Sequence, residues 1–245
     1  MLINVDRAGD EDAPVIIFVH GSGGSSATWF MQLKGLSNDF HIVAIELNGH
    51  GKSPDRSEEN TMESYLTDID EIITQYEKPV LAGHSMGGAL SQLYALRHPE
   101  KISGIILIGT GAKLRVFPLI LDMLENNFEG YVEAVGSYMF CEETSTELIE
   151  ASKNEIRKCK PGIINRDFAA CNNFDIMEMI SDISLPALIL VGEQDLMTPV
   201  KYSNYLHEKL PNSTLHVIEN AGHSVMLEQP GQFNAHVKKW MNALQ

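Results

Sequence analysis

The sequence predicts an α/β fold: a mostly parallel central sheet flanked by helices on both faces, with a helical subdomain inserted between two core strands. Three observations predict it. Short, β-branched apolar runs recur along the chain and are continuous rather than alternating, as strands buried on both faces require. Stretches with helical period separate them, the pattern of parallel βα units. Residues 112–181 break that alternation with no strand signal, and such an interval is too long for a structureless loop. The expected division is therefore 1–111 and 182–245 for the core and 112–181 for the helical subdomain. No repeat or flexible linker separates the two parts, so they are expected to fold together.

The elements follow in order. Pro14–His20 is the first strong strand and runs into the glycine-rich Gly21–Gly24, after which Ser25–Leu36 is helical. His41–Leu47 is a strand ended by the turn chemistry of Asn48–Pro54. Over Thr61–Tyr76, the residues Tyr65, Ile69, Ile72, Ile73 and Tyr76 share one helical face, with Thr61 as the expected cap. Pro79–Ala82 is a strand, and Ser85–Arg97 a helix stopped by His98-Pro99. Ile102–Ile108, Pro186–Val191 and Thr214–Ile218 are the remaining strands, with helices over Val200–Leu210 and Gln232–Leu244. Within the insertion, Leu119–Phe128 and Thr146–Lys158 are amphipathic.

Composition removes several functions. The chain carries 33 acidic and 18 basic residues, a net charge of −15. Nucleic-acid binding needs a basic surface and no Lys/Arg-rich run exists, so no nucleic-acid partner is expected. An anionic membrane surface would repel the chain, and its apolar runs are far shorter than the ~20 residues of a membrane span, so no membrane insertion is expected. The N-terminal MLINVDRAGD lacks a basic segment followed by an apolar stretch, against a secretory signal. Cys141, Cys159 and Cys171 form neither a CxxC nor an even framework, which fits reduced thiols in the cytoplasm.

The chemistry centres on Gly83-His84-Ser85-Met86-Gly87, directly after a strand and opening a helix. This is G-x-S-x-G in the context of a nucleophile elbow: a sharp turn that exposes the Ser85 hydroxyl, flanked by glycines because the backbones approach closely. Asp195, in Val191-Gly-Glu-Gln-Asp195, and His223, in Asn220-Ala-Gly-His-Ser224, follow in the order such a nucleophile needs. Both lie just past the C-terminal ends of strands, where ligand and catalytic groups collect. Glu193 is the rival acid but sits nearer its strand. The candidate catalytic residues are Ser85, Asp195 and His223. The oxyanion hole is assigned to the Met86 amide, after the nucleophile, and to the Ser22 amide in His20-Gly21-Ser22-Gly23-Gly24.

With these motifs the chain resembles the α/β-hydrolase superfamily, and more narrowly its capped, carboxylesterase- and lipase-like serine hydrolases. The resemblance runs from Pro14 onward through HGSGG, LNGHGKS, GHSMGG, GEQDLMTP and AGHSVMLEQP. It implies about eight strands, so one or two near the N-terminus escape the periodicity, and a cap formed by 112–181. Relatives often carry Asp and Arg before G-H-G-x-S, where this chain has Glu46 and Asn48. The activity implied is hydrolysis of a small-molecule ester of small to medium, fairly apolar character, through an acyl-enzyme.

No cofactor and no metal site are expected. His41, His98, His207, His216 and His236 lack metal-binding spacing, and no phosphate loop or dinucleotide fingerprint exists. His20, His50 and His84 flank glycine turns and are read as holding loops. Phe117, Met139 and Phe140 are candidates to face substrate, and Lys113, Arg115 and Arg166 are the basic residues able to form an anion site in the insertion. The competing enzyme readings are a carbon–carbon bond hydrolase of the meta-cleavage type, a lactonase and a thioesterase. Relatives of the first type typically carry Asn before the serine and an aromatic residue after the catalytic histidine, where this chain has His84 and Ser224. A ligand receptor with very slow turnover is the non-enzyme alternative, which fold alone does not separate.

Overall fold

The computed structural model describes residues 3–56 and 60–244. Its sheet is seven-stranded among the described residues: β1 (Val5–Ala8), β2 (Val15–Val19), β3 (His41–Ile45), β4 (Val80–His84), β5 (Gly104–Ile108), β6 (Ala187–Gly192) and β7 (Ser213–Ile218). The spatial order is β1-β3-β2-β4-β5-β6-β7. All neighbours pair in parallel except β1, which runs antiparallel to β3 with Val5 opposite Ile45. The six strands read from apolar runs are the six parallel ones. β1 is the N-terminal strand that the periodicity does not reveal. Its sequence, Val-Asp-Arg-Ala, sits half-buried at the sheet edge, where charged side chains discourage pairing with another chain.

Alternate residues of the central strands feed two apolar clusters, because successive side chains point to opposite faces. Ile17, Val19, Val43, Ile45, Leu81, Ile105 and Leu107 pack on one side against α2 (Thr61–Ile73), α3 (Met86–Arg97) and α8 (Val200–Lys209). Ile16, Phe18, Ile42, Ala44, Ala82, Ile106 and Leu190 pack on the other against Trp29 and α10 (Pro230–Leu244). Two shorter helices, α1 (Phe30–Gly35) and α9 (Val225–Glu228), complete that face. The stretch Ser25–Leu36 is a 3₁₀ turn over Ser26–Trp29 running into α1. One correction concerns α2: its cap is Asn60, whose side chain accepts from the Glu63 amide, and Thr61 is the first helical residue. Asn caps at least as well as Thr and stands one position earlier.

Between β5 and β6 lie four helices: α4 (Pro118–Asn126), α5 (Phe128–Met139), α6 (Thr146–Lys158) and α7 (Pro161–Asn173). They form their own apolar cluster around Leu124, Val132, Val135, Ile156, Ile164 and Phe168. The local starts are written in the sequence: Asn127 caps α5 by accepting from Gly130, Ser145 caps α6 by accepting from Leu148, and prolines open α4 and α7. Buried and half-buried contacts from this segment reach the core beneath it. Asp167 of α7 meets Tyr65 of α2, and Cys141 after α5 meets Glu228 of α9. Among the described residues no helix is long and apolar enough to cross a membrane.

Candidate active site

β4 delivers Ser85 at its C-terminal end, and α3 starts at the next residue. Ser85 has φ +53° and ψ −113°, a backbone conformation that costs a side-chain-bearing residue roughly 1–3 kcal/mol. The turn is held from both ends. Its amide donates to the Ile108 carbonyl at 2.9 Å, and its carbonyl accepts from Thr110 Oγ1 at 2.8 Å. A Cβ on Gly83 would sit 2.1 Å from the Gly87 carbonyl oxygen, and one on Gly87 would sit 2.3 Å from that of Val19. Only glycine fits at either place, which is the physical content of the motif. The Met86 amide belongs to the first turn of α3, where amides have no partner inside the helix.

The loop after β2 lies against this turn. A Cβ on Gly21 would meet Ser85 Cβ at 3.2 Å. His20 holds the Gly21 carbonyl with Nδ1 at 2.8 Å, and its Nε2 accepts from the Leu47 amide at 3.2 Å. That pattern fixes the neutral tautomer, protonated on Nδ1. Burial, and then the neighbouring His50, push His20 down to about 3. The Gly21 carbonyl also accepts from the Gly24 amide at 3.0 Å. Since a trans peptide points its N–H opposite its C=O, holding the Gly21 oxygen sets the direction of the Ser22 amide.

Asp195 follows β6 and His223 follows β7, and the structure brings them together: His223 Nδ1 is 2.9 Å from Asp195 Oδ2. Asp195 is buried and otherwise satisfied, accepting from the Met197 and Thr198 amides at 2.9 and 2.8 Å and from Thr198 Oγ1 at 2.8 Å. Burial pushes its carboxyl upward, but the charge and hydrogen bond of His223 and the Thr198 donors outweigh this and hold it below its ordinary range. Thr198, which the sequence reading does not single out, also lies 3.2 Å from His223 Nδ1. Glu193 is exposed on the same loop, and the side chain against His223 is that of Asp195. A Cβ on Gly109 would come within 3.2 Å of both Asp195 Oδ2 and His223 Nδ1, so a bare backbone lets the pair close.

His84 supports the same loop from β4, its Nε2 donating to the His223 carbonyl at 3.0 Å. Glu228 is a second support that sequence inspection misses. One of its oxygens accepts from the Gly222 amide at 2.8 Å, and the other accepts from the Cys141 amide and Thr144 Oγ1 at 2.8 and 2.7 Å. The signal available for it is its place five residues after His223 in AGHSVMLEQP, a lone buried-side acid in an apolar run.

Ser22, Ser85 and His223 line one cavity of about 370 Å³ with Gly21, His84 and apolar side chains from the inserted helices and α9. The helical contributions include Tyr131, Met139, Leu148, Ile156 and Phe168. Of the three residues expected to face substrate, Met139 does. Phe140 is buried in the cluster of the inserted helices, and Phe117 is 71 % exposed and borders a separate apolar groove. Among the described lining residues the one carboxylate is Glu155, which pairs with Lys158. Lys113 and Arg166 do not assemble an anion site, because each is occupied by a carboxylate of its own, Asp175 and Asp55. The three cysteines are free and buried.

Comparisons with known proteins agree with the fold. The family model described as "Serine aminopeptidase, S33" matches residues 10–230. A solved structure described as a thermophilic esterase is 33% identical and superposes with a TM-score of 0.88, covering 99% of this chain and 94% of its own. "Putative carbamate hydrolase RutD" of Agrobacterium fabrum is 28% identical over 249 residues, 95% of this chain and 94% of that protein. The 3-oxoadipate enol-lactonase 2 of Acinetobacter baylyi is 25% identical over 248 residues, 98% of this chain and 92% of that protein.

Proposed function

The chain belongs to the hydrolase family described as serine aminopeptidase, S33, and from that membership we propose that it hydrolyses carboxylic esters of small to medium, fairly apolar substrates through an acyl-enzyme on Ser85. The observation that carries this reading is the convergence of a strained Ser85 elbow and an Asp195-bound His223 on one apolar cavity.

His223 takes the Ser85 proton as the hydroxyl oxygen attacks the carbonyl carbon. Asp195 keeps Nδ1–H turned toward itself, leaves Nε2 as the base, and offsets the charge of the imidazolium that forms. Electrons displaced onto the carbonyl oxygen are received by the Ser22 and Met86 amides. Collapse of the tetrahedral species breaks the bond to the alcohol, which leaves with the proton held by His223. Water then repeats the attack and frees the acid and Ser85. Residues 112–181 act as a cap whose apolar side chains keep this chemistry dry and set selectivity.

The relatives' printed activities, on esters, an enol-lactone and a carbamate, all attack an acyl carbon bearing a heteroatom leaving group, which supports an ester substrate here. Free, buried thiols support a cytoplasmic setting. Steady-state turnover of p-nitrophenyl esters of increasing acyl length, with Ser85→Ala beside the wild type, tests the reading. Saturable turnover lost in the variant is expected. Failure of the wild type to turn over any ester overturns it and leaves the slow-turnover receptor in its place.

A further inference from the structure

The loop that carries the Ser22 amide is held by the inserted helices as well as by the core. Gly23 has φ +68°, and its amide donates to Oδ2 of Asp167 at 3.1 Å. Asp167 is wholly buried on α7, 144 positions further along the chain. Neighbouring residues of α7 close on the same loop. Ile164 would touch a Cβ on Gly23 at 3.0 Å, and Cys171 Sγ lies 3.8 Å from Ser22 Oγ.

Asp167 is itself fixed by two buried partners. Its Oδ1 accepts from the Tyr65 hydroxyl at 2.5 Å, and its Oδ2 is 2.8 Å from His50 Nε2. His50 Nδ1 faces the Asn48 carbonyl at 3.2 Å, so both ring nitrogens meet acceptors. Two acceptors require two protons, and the ring is therefore a cation paired with the Asp167 carboxylate. Burial alone would push His50 down, but Asp167 by charge and hydrogen bond raises it above its ordinary value. The His50 ring also lies 4.7 Å from that of His20, which holds the Gly21 carbonyl. Both peptides that flank Ser22 are thus pinned: the one before it by His20, the one after it by Asp167.

We infer that Asp167 is a positioning residue for hydrolysis, aiming the Ser22 amide at the oxyanion by holding the Gly23 amide from the inserted helices. The inference rests on the assignment of Ser22 to the oxyanion hole made under the proposed function. An amide that meets charge only in the transition state contributes to kcat, not to ground-state binding. Asn172, also on α7, supplies the control. Its Oδ1 accepts from the Val116 amide at 3.2 Å, away from Asp167 and its partners, whereas Arg166 donates to the Tyr65 hydroxyl at 3.2 Å and to the Asn48 carbonyl at 3.3 Å and so belongs to the same network.

The experiment compares Asp167→Ala, Asp167→Asn and Asn172→Ala in the full chain, with p-nitrophenyl ester kinetics and amide hydrogen exchange over residues 20–24. Deleting an oxyanion donor costs about 10²–10³ in kcat, so misdirecting one should cost roughly 10–100-fold in Asp167→Ala, with KM changed less than about threefold. Asp167→Asn retains an oxygen able to accept from Gly23 and is expected to recover most of the kcat. Exchange at residues 20–24 should quicken in the alanine variant and return in the asparagine variant. Asn172→Ala should keep kcat within about twofold and leave exchange at residues 20–24 unchanged. If Asp167→Ala does not fold, Asp167→Glu replaces it: the charge stays beside His50, the carboxylate moves by a methylene, and kcat is again expected to fall. A kcat loss no larger than that of Asn172→Ala, a loss confined to KM, or unchanged exchange in the loop overturns the inference. Should the wild type turn over no ester, the ester reading falls, while exchange that follows the same order among the variants still upholds the role of Asp167.

Discussion

The ring of His84 lies 4.5 Å from that of His223 and donates to its carbonyl, so the residue before the elbow serine holds the loop of the residue proposed as its base. Burial, and then the proximity of His223, push His84 down to about 3. His84 is therefore neutral throughout the range in which a hydrolase of this kind would work. Its task is to carry a single proton into a fixed hydrogen bond. His223, the proposed base, lines the same cavity as Ser85.

Two consequences follow for kinetics. The acid limb of log kcat/KM against pH is expected to rise with unit slope, since neutral imidazole alone accepts the serine proton. Asp195, held below its ordinary range, and His20 and His84, at about 3, contribute no second slope there. Asp195→Asn should lower kcat by roughly 10⁴, because the amide favours the wrong imidazole tautomer. A flat profile between about pH 5 and 9, with chemistry rate-limiting, or a slope of two on the acid limb would contradict the assignment.

Ser85→Ala should leave a folded protein with ester turnover lowered by roughly 10⁴–10⁶. Ser85 is unlike the other serines that border the cavity because it alone among them occupies a strained positive-φ turn. Circular dichroism and initial rates decide the matter. A variant with native dichroism and more than about a tenth of the wild-type rate places the nucleophile elsewhere.

Acid should unfold the protein from the upper end of the histidine range downward. His20 and His84 titrate at about 3 in the folded chain, against about 6.5 when unfolded. Between those values the unfolded chain binds more protons, so stability falls as pH falls through that window. His50 acts in the opposite sense: its raised value gives stability that is whole below about 6.5 and lost as pH rises past its folded value. Two pH units below 6.5, each buried neutral histidine costs on the order of 3 kcal/mol. A chain of this size loses about 2–4 °C per kcal/mol, so Tm at pH 4.5 should lie at least about 10 °C below its value at pH 7. Thermal melts across pH 4–8 measure this, and a Tm that does not move between pH 7 and 4.5 would contradict it.

Neutral esters should be preferred over matched esters bearing a carboxylate near the scissile bond. The net charge of −15 repels anions at long range, Glu155 is the carboxylate among the described cavity-lining residues, and Lys113 and Arg166 are already paired. Part of the preference should fade with salt, because at about 0.15 M charges beyond roughly 8 Å are screened. Comparing kcat/KM for the two esters across a salt series tests both statements. A preference for the anionic ester that weakens with salt would reverse the conclusion.

The central parallel strands were legible because burial on both faces leaves uninterrupted apolar runs such as Val15–Val19 and Ala187–Val191, whereas the half-exposed edge strand β7 shows only a short apolar alternation. β1 was not, since Val5–Ala8 is half-solvated and mixes apolar with charged residues. The positions of Ser85, Asp195 and His223 could be read because each lies in turn chemistry directly after a strand. Asp167, Thr198 and Glu228 could not. Their contacts join residues that are far apart in sequence or buried within a loop, and a carboxylate's hydrogen-bond partners leave no periodic trace. The helices α5 and α7 were hidden for another reason: Gly130, Gly136 and Gly162 dilute their helical pattern, and tertiary packing stabilises them.

The fastenings of the inserted segment are unevenly spread. Glu228 grips the turn at Cys141 and Thr144, while Asp167 and Arg166 secure α7, so α4 and α6 carry none of these ties. Yet α6 contributes Leu148, Ala151, Ser152 and Ile156 to the cavity wall. For anyone wishing to retune what the pocket accepts, α6 is the interchangeable panel. Leu148, Ala151 and Ser152 can be redrawn, as a library or by graft, while Ile156 stays in the cluster of the inserted helices and the ties to the Ser22 and His223 loops stay untouched.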